Sequence, residues 1–246
     1  MKKIIQKVLI GIFWLALWQG AAMLVGKPLL LPGPWDTAET LIRLAGTGVF
    51  WQSTGMTLLR VAAGYLAAVA LGVLMAVACH FLPLMEALFS PLRAVIKATP
   101  VSSFIMLVLL WMQKANVPVF ISFLMVLPIV WTAVQEALKA TDHQLLEMTK
   151  MYRFSTWQRF RYLYAPSVKP AFAASCMTGL GFAWKSGIAA EVLALPALSV
   201  GQHLYNAKIY LERAELFAWT FTVILLSMGL EALLKKAMGR MKGGAA

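Results

Sequence analysis

The chain has 246 residues, 61% of them hydrophobic and only 13% charged, with a formal net charge of +12. A soluble globular domain carries about 25% charged residues, so the composition excludes one and requires an integral membrane protein. The positive balance is not a nucleic-acid signature, because no aromatic-interleaved basic face accompanies it; membrane proteins collect Lys and Arg in cytoplasmic loops.

Taken from the N-terminus, MKKIIQK leads into an uncharged run from Val8 to Gly26, 19 residues long. That length suits a retained spanning helix better than a signal peptide, and no clean A-x-A site follows. The first span is therefore placed at about 6–26. In LLLPGPWDTAETLIRLAG, Pro32 and Pro34 interrupt the helix, and Asp36 can cap a short amphipathic segment carrying Leu41, Ile42 and Leu44 that lies at the interface.

No Asp, Glu, Lys or Arg occurs between Arg60 and Glu86, which fixes a second span at about 54–79. Gly55, Gly64 and Gly72 give it the small-residue texture that lets membrane helices approach closely. Arg60, near its outer end, is expected to snorkel or to tie to the 32–50 segment. Further spans follow at about 88–112, 117–138, 167–195 and 214–234. Cys79 and Cys176 sit in apolar runs without CxxC spacing, which suits buried small hydrophobes, and the three histidines show no ligand spacing. The expectation is one all-α membrane domain, 1–246, with six transmembrane helices.

With both termini inside, 15 of the 22 Lys and Arg residues fall on the cytoplasmic side, five outside and two (Arg60 and Lys185) in the membrane. This asymmetry predicts an N-in, C-in topology. It also puts the polar stretch from Lys139 to Lys169 in the cytoplasm. Within it, 139–152 reads as an amphipathic helix with Leu145, Leu146, Met148, Met151 and Tyr152 on its apolar side. Ser155 can cap a second helical turn carrying Trp157, Phe160, Tyr162 and Tyr164, which Pro166 stops. Exposed aromatics in such an element suit a partner groove, and equally a charged loop packed on its own helix ends.

The run Leu145-Leu146-Glu147-Met148-Thr149-Lys150-Met151-Tyr152-Arg153-Phe154-Ser155, followed by Trp157, Phe160, Pro166 and Pro170, resembles the EAA loop, ELLEAARTLGASxWxxFxxVxLPxxxP. That loop marks the permease subunits of binding-protein-dependent ABC importers. Leu31-Pro32-Gly33-Pro34-Trp35, Thr57 to Gly64 and the Ala183-Trp184-Lys185 to Leu193 stretch are similar to the nitrate/sulfonate/taurine branch, so the likeness covers nearly the whole chain. The resemblance implies the type I importer permease fold with a cytoplasmic coupling helix, a second permease copy forming a homodimer, cytoplasmic ATPase subunits and an external solute-binding protein in a bacterial inner membrane. It implies that Leu146 to Met151, with Arg153, Phe154 and Ser155, meet the ATPase, Glu147 touching its surface, while Trp157 and Phe160 pack the docking helix on the membrane domain. The motif glycine is Arg153 here, and two motif alanines are Met148 and Thr149, so the bend between the docking helices must be made by a bulky residue at some cost. The chain has no GxxxxGK[ST] phosphate loop, so ATP and magnesium are expected on the partner and no cofactor on this chain.

Ionisable groups inside a membrane are expensive and usually functional. Lys185 and Glu191 lie in the fifth span about 120° apart around the helix, each expected to face a cavity or a neighbouring helix. Thr99, Ser102 and Ser103 around Pro100 form a kinked, hydroxyl-bearing stretch that suits a polar path, or hydroxyls that satisfy local carbonyls. A positive Lys185 leans towards a small anionic or zwitterionic solute. The competing class is a secondary transporter or channel, which predicts ionisable relays through several spans and a repeat; neither is present, and a large docking loop would have no purpose there. An enzyme is disfavoured, because no nucleophile–base or metal cluster occurs.

Overall fold

The computed structural model describes residues 2–26 and 30–243, and the regular structure among them is helical. Lys27, one of the five Lys and Arg residues expected on the outer side, lies outside the described residues. In chain order the helices are α1 (Lys2–Val25), α2 (Pro34–Ala45), α3 (Gly48–Phe81), α4 (Pro83–Ala98), α5 (Val101–Val108), α6 (Val117–Lys139), α7 (His143–Met151), α8 (Thr156–Arg159), α9 (Ala165–Ala194), α10 (Val200–Ile209) and α11 (Arg213–Gly243). A π-helical turn, Phe160–Tyr164, joins α8 to α9. They gather into two compact units, residues 1–57 with 195–226, and residues 58–194 with 227–246.

Aromatic stacking holds the first unit. Trp18 of α1 stacks on Phe217 and Phe221 of α11, with ring centroids 5.9 and 5.6 Å apart. Phe50 and His203 both stack on the buried Trp219, at 5.0 and 4.5 Å. The His203 ring also lies 2.9 Å from the Ser53 hydroxyl, and burial holds its pKa below the ordinary histidine range. The α2 helix starts earlier than expected, at Pro34 with Gly33 as its N-cap, and the Asp36 carboxylate accepts from the Gly33 N–H from within the first turn. Arg43 at the other end of α2 reaches Glu215 at 3.4 Å. The α10 helix falls in a stretch to which the sequence reading assigned no element.

Three long helices, α3, α6 and α9, form the core of the second unit. A Cβ added to Gly64 would lie 2.2 Å from the Val119 carbonyl, and one added to Gly187 would lie 2.6 Å from both Ser122 Oγ and Val61. Glycine is required at both points because backbone and side chain of the next helix already occupy the space. The Ser122 hydroxyl donates to the Ala183 carbonyl across the α6–α9 contact, and Tyr65 donates to the Cys176 carbonyl. Trp131 and Trp184 are fully buried, and both cysteines are buried.

Three described helices are long and apolar enough to cross a membrane: Gly48–Phe81, Val117–Lys139 and Arg213–Gly239. A fourth is obtained if α4 and α5 count as one span, and α1 contributes a shorter apolar helix, Leu9–Val25. The third span, expected to be kinked around Pro100, is two helices meeting at 105°. The break falls where the sequence is weakest: Thr99 takes an extended conformation, as a residue before proline prefers, and Pro100, also extended, is the N-cap of α5.

Gly64→Val is expected to destabilise the purified protein by about 1–3 kcal/mol or more, since the Val119 backbone would have to shift to admit a side chain. Gly55→Ala, at a position with open space around it, should be neutral or stabilising. Equal melting temperatures for the two variants would contradict this packing.

Candidate functional site

The segment between α6 and α9 is a capped helix, a left-handed turn and a second capped helix. Asp142 starts α7 by accepting from the Gln144 N–H at 2.8 Å. The helix ends at Tyr152, and Arg153 follows with φ 51°. The Phe154 N–H returns to the Thr149 carbonyl at 2.9 Å and the Arg153 N–H to the Lys150 carbonyl at 3.1 Å, the hydrogen-bond pattern of a Schellman turn. Glycine normally fills the left-handed position of that turn, which costs other residues roughly 1–2 kcal/mol. The backbone therefore keeps the bend that the motif's glycine would give, with arginine in its place.

Ser155 opens α8 with a reciprocal capping box: its N–H donates to the Gln158 side chain at 2.7 Å and its hydroxyl accepts from the Gln158 N–H at 3.3 Å. Here one expectation is corrected, because Pro166 does not stop the helix. Helical structure runs on from Thr156 to Ala194, with Pro166 inside the first turn of α9. The π turn just before it, closed by the Ala165 N–H to the Phe160 carbonyl, widens the helix where a proline ring would otherwise meet the carbonyl four residues back.

Most of the segment's large apolar groups face outward. Met151 is 83% exposed and Tyr152 72%, with Trp157 and Tyr162 also well exposed. Thr149 is buried and its hydroxyl donates to the Leu146 carbonyl. Glu147, Lys150 and Arg153 are exposed, Glu147 lying 3.5 Å from His143 one turn earlier. Trp157 and Phe160 stack on each other at 5.8 Å and, with Phe81 and Tyr164, wall an aromatic cavity.

At the adjoining end of α6, Glu86 accepts from Gln135 at 2.7 Å and from Arg93 at 3.1 Å, with Lys139 at 3.7 Å. Arg93 also hydrogen-bonds Gln135 and lies over the Trp131 ring. This cluster escaped the sequence reading because its members are spread over more than fifty positions.

The path candidates are not brought together. Thr99 is partly buried at the α4–α5 break, with its hydroxyl given to the Val95 carbonyl, while Ser102 and Ser103 are exposed on α5. Lys185 is exposed on α9. Glu191 is fully buried and faces α3, where its carboxylate lies 3.3 Å from the Arg60 guanidinium. Arg60 is buried and pairs with Glu191 instead of snorkelling, one of the two expectations for it. A charge turned into a helix bundle needs an opposite charge there, and these two lie within reach of each other on α3 and α9. Removing one partner from such a buried pair costs about 3–5 kcal/mol. Two lone charges of opposite sign in separate apolar helices were the signal that would have found it.

Comparison with known proteins places these features in a family. Residues 68–237 match the family described as binding-protein-dependent transport system inner membrane component. The chain is similar to a riboflavin transport system permease protein of Chloroflexus aurantiacus, 32% identical over 89% of this chain and 85% of that one. It is similar to a taurine transport system permease protein of Escherichia coli, 22% identical over 89% of this chain and 83% of that one. A bicarbonate transport system permease protein of Synechocystis is 25% identical over 65% of this chain and 57% of its own length.

Replacing the left-handed arginine with the residue that the turn prefers, Arg153→Gly, should stabilise the 149–154 turn by about 1 kcal/mol. Hydrogen exchange of the Phe154 amide checks this: slower exchange is expected, and faster exchange would mean that the arginine makes the turn more stable than glycine does.

Proposed function

The chain belongs to the binding-protein-dependent transport system inner membrane components, and on that premise we propose a specific role for each part of it. As in its relatives, it is a membrane permease subunit of an ABC importer, served by an ATPase and a solute-binding protein. Our reading is of one permease domain with six crossings (α1, α3, α4 with α5, α6, α9 and α11), N-in and C-in, carrying the type I importer fold. Support comes from the Lys and Arg asymmetry of the loops and from the lengths of the helices.

The observation that carries the functional reading is the outward-facing 142–164 segment, where apolar side chains that a soluble surface would bury project from a rigidly capped frame. We assign the ATPase contact to Leu146, Glu147, Met148, Thr149, Lys150 and Met151, and to the turn Arg153-Phe154-Ser155 with Trp157 and Phe160. Thr149 acts from beneath by fixing the helix end. Met148 in place of a small residue supplies a flexible apolar contact. ATP and magnesium are bound by the partner, and hydrolysis there drives the transport cycle; nucleic acid has no part in it.

A second copy of the chain completes the path. Ala174, Thr178, Phe182, Lys185, Ala189 and Leu193 recur every three or four residues along α9 and are all exposed, a face open for a partner helix or for solute. We assign the path to this face, with Lys185 at its centre, and to Thr99, Ser102 and Ser103. Glu191, though in the same helix, supports the path by holding Arg60 and α3. A cation on the path favours a small anionic or zwitterionic solute, in keeping with the taurine and bicarbonate transport systems to which two of the relatives belong. A second reading, an aromatic heterocyclic solute, is favoured by the higher identity to the riboflavin permease protein. Identifying the ligand of the partner binding protein separates the two.

Glu147→Lys should abolish substrate-stimulated ATP hydrolysis in the assembled complex while membrane insertion stays normal. Undiminished stimulation would refute the docking role, and uptake that persists without any ATPase but collapses with the proton gradient would favour a secondary transporter.

A further inference from the structure

Glu86, Arg93 and Gln135 close a hydrogen-bonded ring. The Gln135 amide donates to one Glu86 oxygen at 2.7 Å, the Arg93 guanidinium donates to the other at 3.1 Å, and Arg93 also donates to the Gln135 Oε1. A carboxylate only accepts and a guanidinium only donates, so the amide must lie this way round for the ring to close. Glu86 and Arg93 stand about two turns apart on α4, whereas Gln135 is on α6. The glutamine is therefore the group that carries a bond internal to α4 across to α6.

Little else holds α4. Among the described residues of this helix Ile96 alone is buried, whereas Leu84, Leu88, Leu92 and Val95 are each half exposed or more. Lys97 adds a bond of 3.5 Å to the Thr132 hydroxyl. The α5 helix is anchored by apolar packing instead, with Ile105 and Val108 buried against Val117 and Ile121 of α6 and Ala190 and Ala194 of α9. At the joint, the Thr99 N–H returns to the Val95 carbonyl and the Phe104 N–H to the Pro100 carbonyl, so a rotation between Thr99 and Pro100 breaks neither bond.

The ring is built to close and able to open. Gln135 is 2% exposed and its amide meets Glu86 and Arg93 in the closed ring, which penalises opening. Glu86 and Arg93 are part-exposed, so water receives them when they part from the glutamine. Lys139, the last residue of α6 and close before the Asp142 cap, lies 3.7 Å from the same Glu86 oxygen that Arg93 holds. A displacement at the root of the 142–164 segment thus acts on the ring directly.

We propose that this ring is a latch between the 142–164 segment and the α4–α5 break, with Gln135 as its positioning residue. Closed, it holds α4 on α6. When the root of the segment is displaced, Lys139 draws on Glu86, the ring opens, and α4 turns at Thr99 and Pro100 while α5 stays packed, which alters access to Thr99, Ser102 and Ser103. The trigger rests on the ATPase docking proposed above.

The test uses the full chain assembled with its ATPase in nanodiscs, with both native cysteines replaced by alanine. Spin labels are attached through Leu84→Cys and Glu136→Cys, exposed positions on α4 and α6, and the labelled chain is diluted with unlabelled chain. With ADP one closed distance should dominate, and with ATP and vanadate a second, longer distance should appear. Gln135→Leu, which keeps the volume but cuts the ring from α6, should raise the share of the longer distance in ADP by about tenfold. Arg93→Lys keeps the charge without the fork that meets both acceptors, and should give a smaller rise. A single distance in every nucleotide state, or ADP-state distances in both variants equal to those of the parent, would overturn the proposal. A photo-cross-linker at Met151 keeps the two readings apart. An adduct with the ATPase but no nucleotide-dependent distance overturns the latch alone, whereas the lack of any adduct overturns the docking on which it rests.

Discussion

Inside a bilayer, water exerts no hydrophobic drive that presses one helix on another, so contact between helices rests on how closely their surfaces fit. In this protein the fit is made by absent side chains. Gly64 leaves room for the Val119 carbonyl, and Gly187 for Ser122 and Val61, so α3, α6 and α9 meet at backbone distance. Once they are that close, the Ser122 hydroxyl reaches the Ala183 carbonyl and Arg60 reaches Glu191. Both links depend on the close approach, because an arginine and a glutamate left apart in hydrocarbon would each be costly.

The same core gives the 142–164 segment a firm root. It leaves from the end of α6, where Glu86, Arg93, Gln135 and Lys139 interlock, and returns through a π turn directly into α9. Between these anchors, the Asp142 cap, the Schellman turn at Arg153 and the Ser155 capping box each satisfy backbone groups that a helix end would leave open. The segment can therefore present Met151, Tyr152 and Trp157 outward in fixed positions. A push on it from a partner would travel through continuous helix to α9, the helix that carries Lys185.

Features carried by local chemistry were legible in the sequence. The apolar lengths located the long helices, Asp36 and Ser155 were recognisable caps, and the glycines of α3 announced a close contact. Arg153 was legible as a conflict, a bulky residue where a bend needs glycine, and the backbone resolves it by accepting a positive φ. What was not legible depends on tertiary neighbours. The pairing of Arg60 with Glu191 joins positions 131 residues apart. The π turn that absorbs Pro166 has no sequence signature, and the 105° break at Thr99 and Pro100 differs from an ordinary proline kink only in its size. The α10 helix is too short and too mixed in composition to stand out from a loop.

The central claim is that the 142–164 segment receives an ATPase. A photo-cross-linking amino acid placed at Met151, the most exposed large apolar residue of α7, tests it in native membranes. The account predicts a covalent adduct with the cytoplasmic ATPase subunit. Adducts with the external binding protein, or efficient labelling of lipid alone in membranes that contain the ATPase, would contradict it.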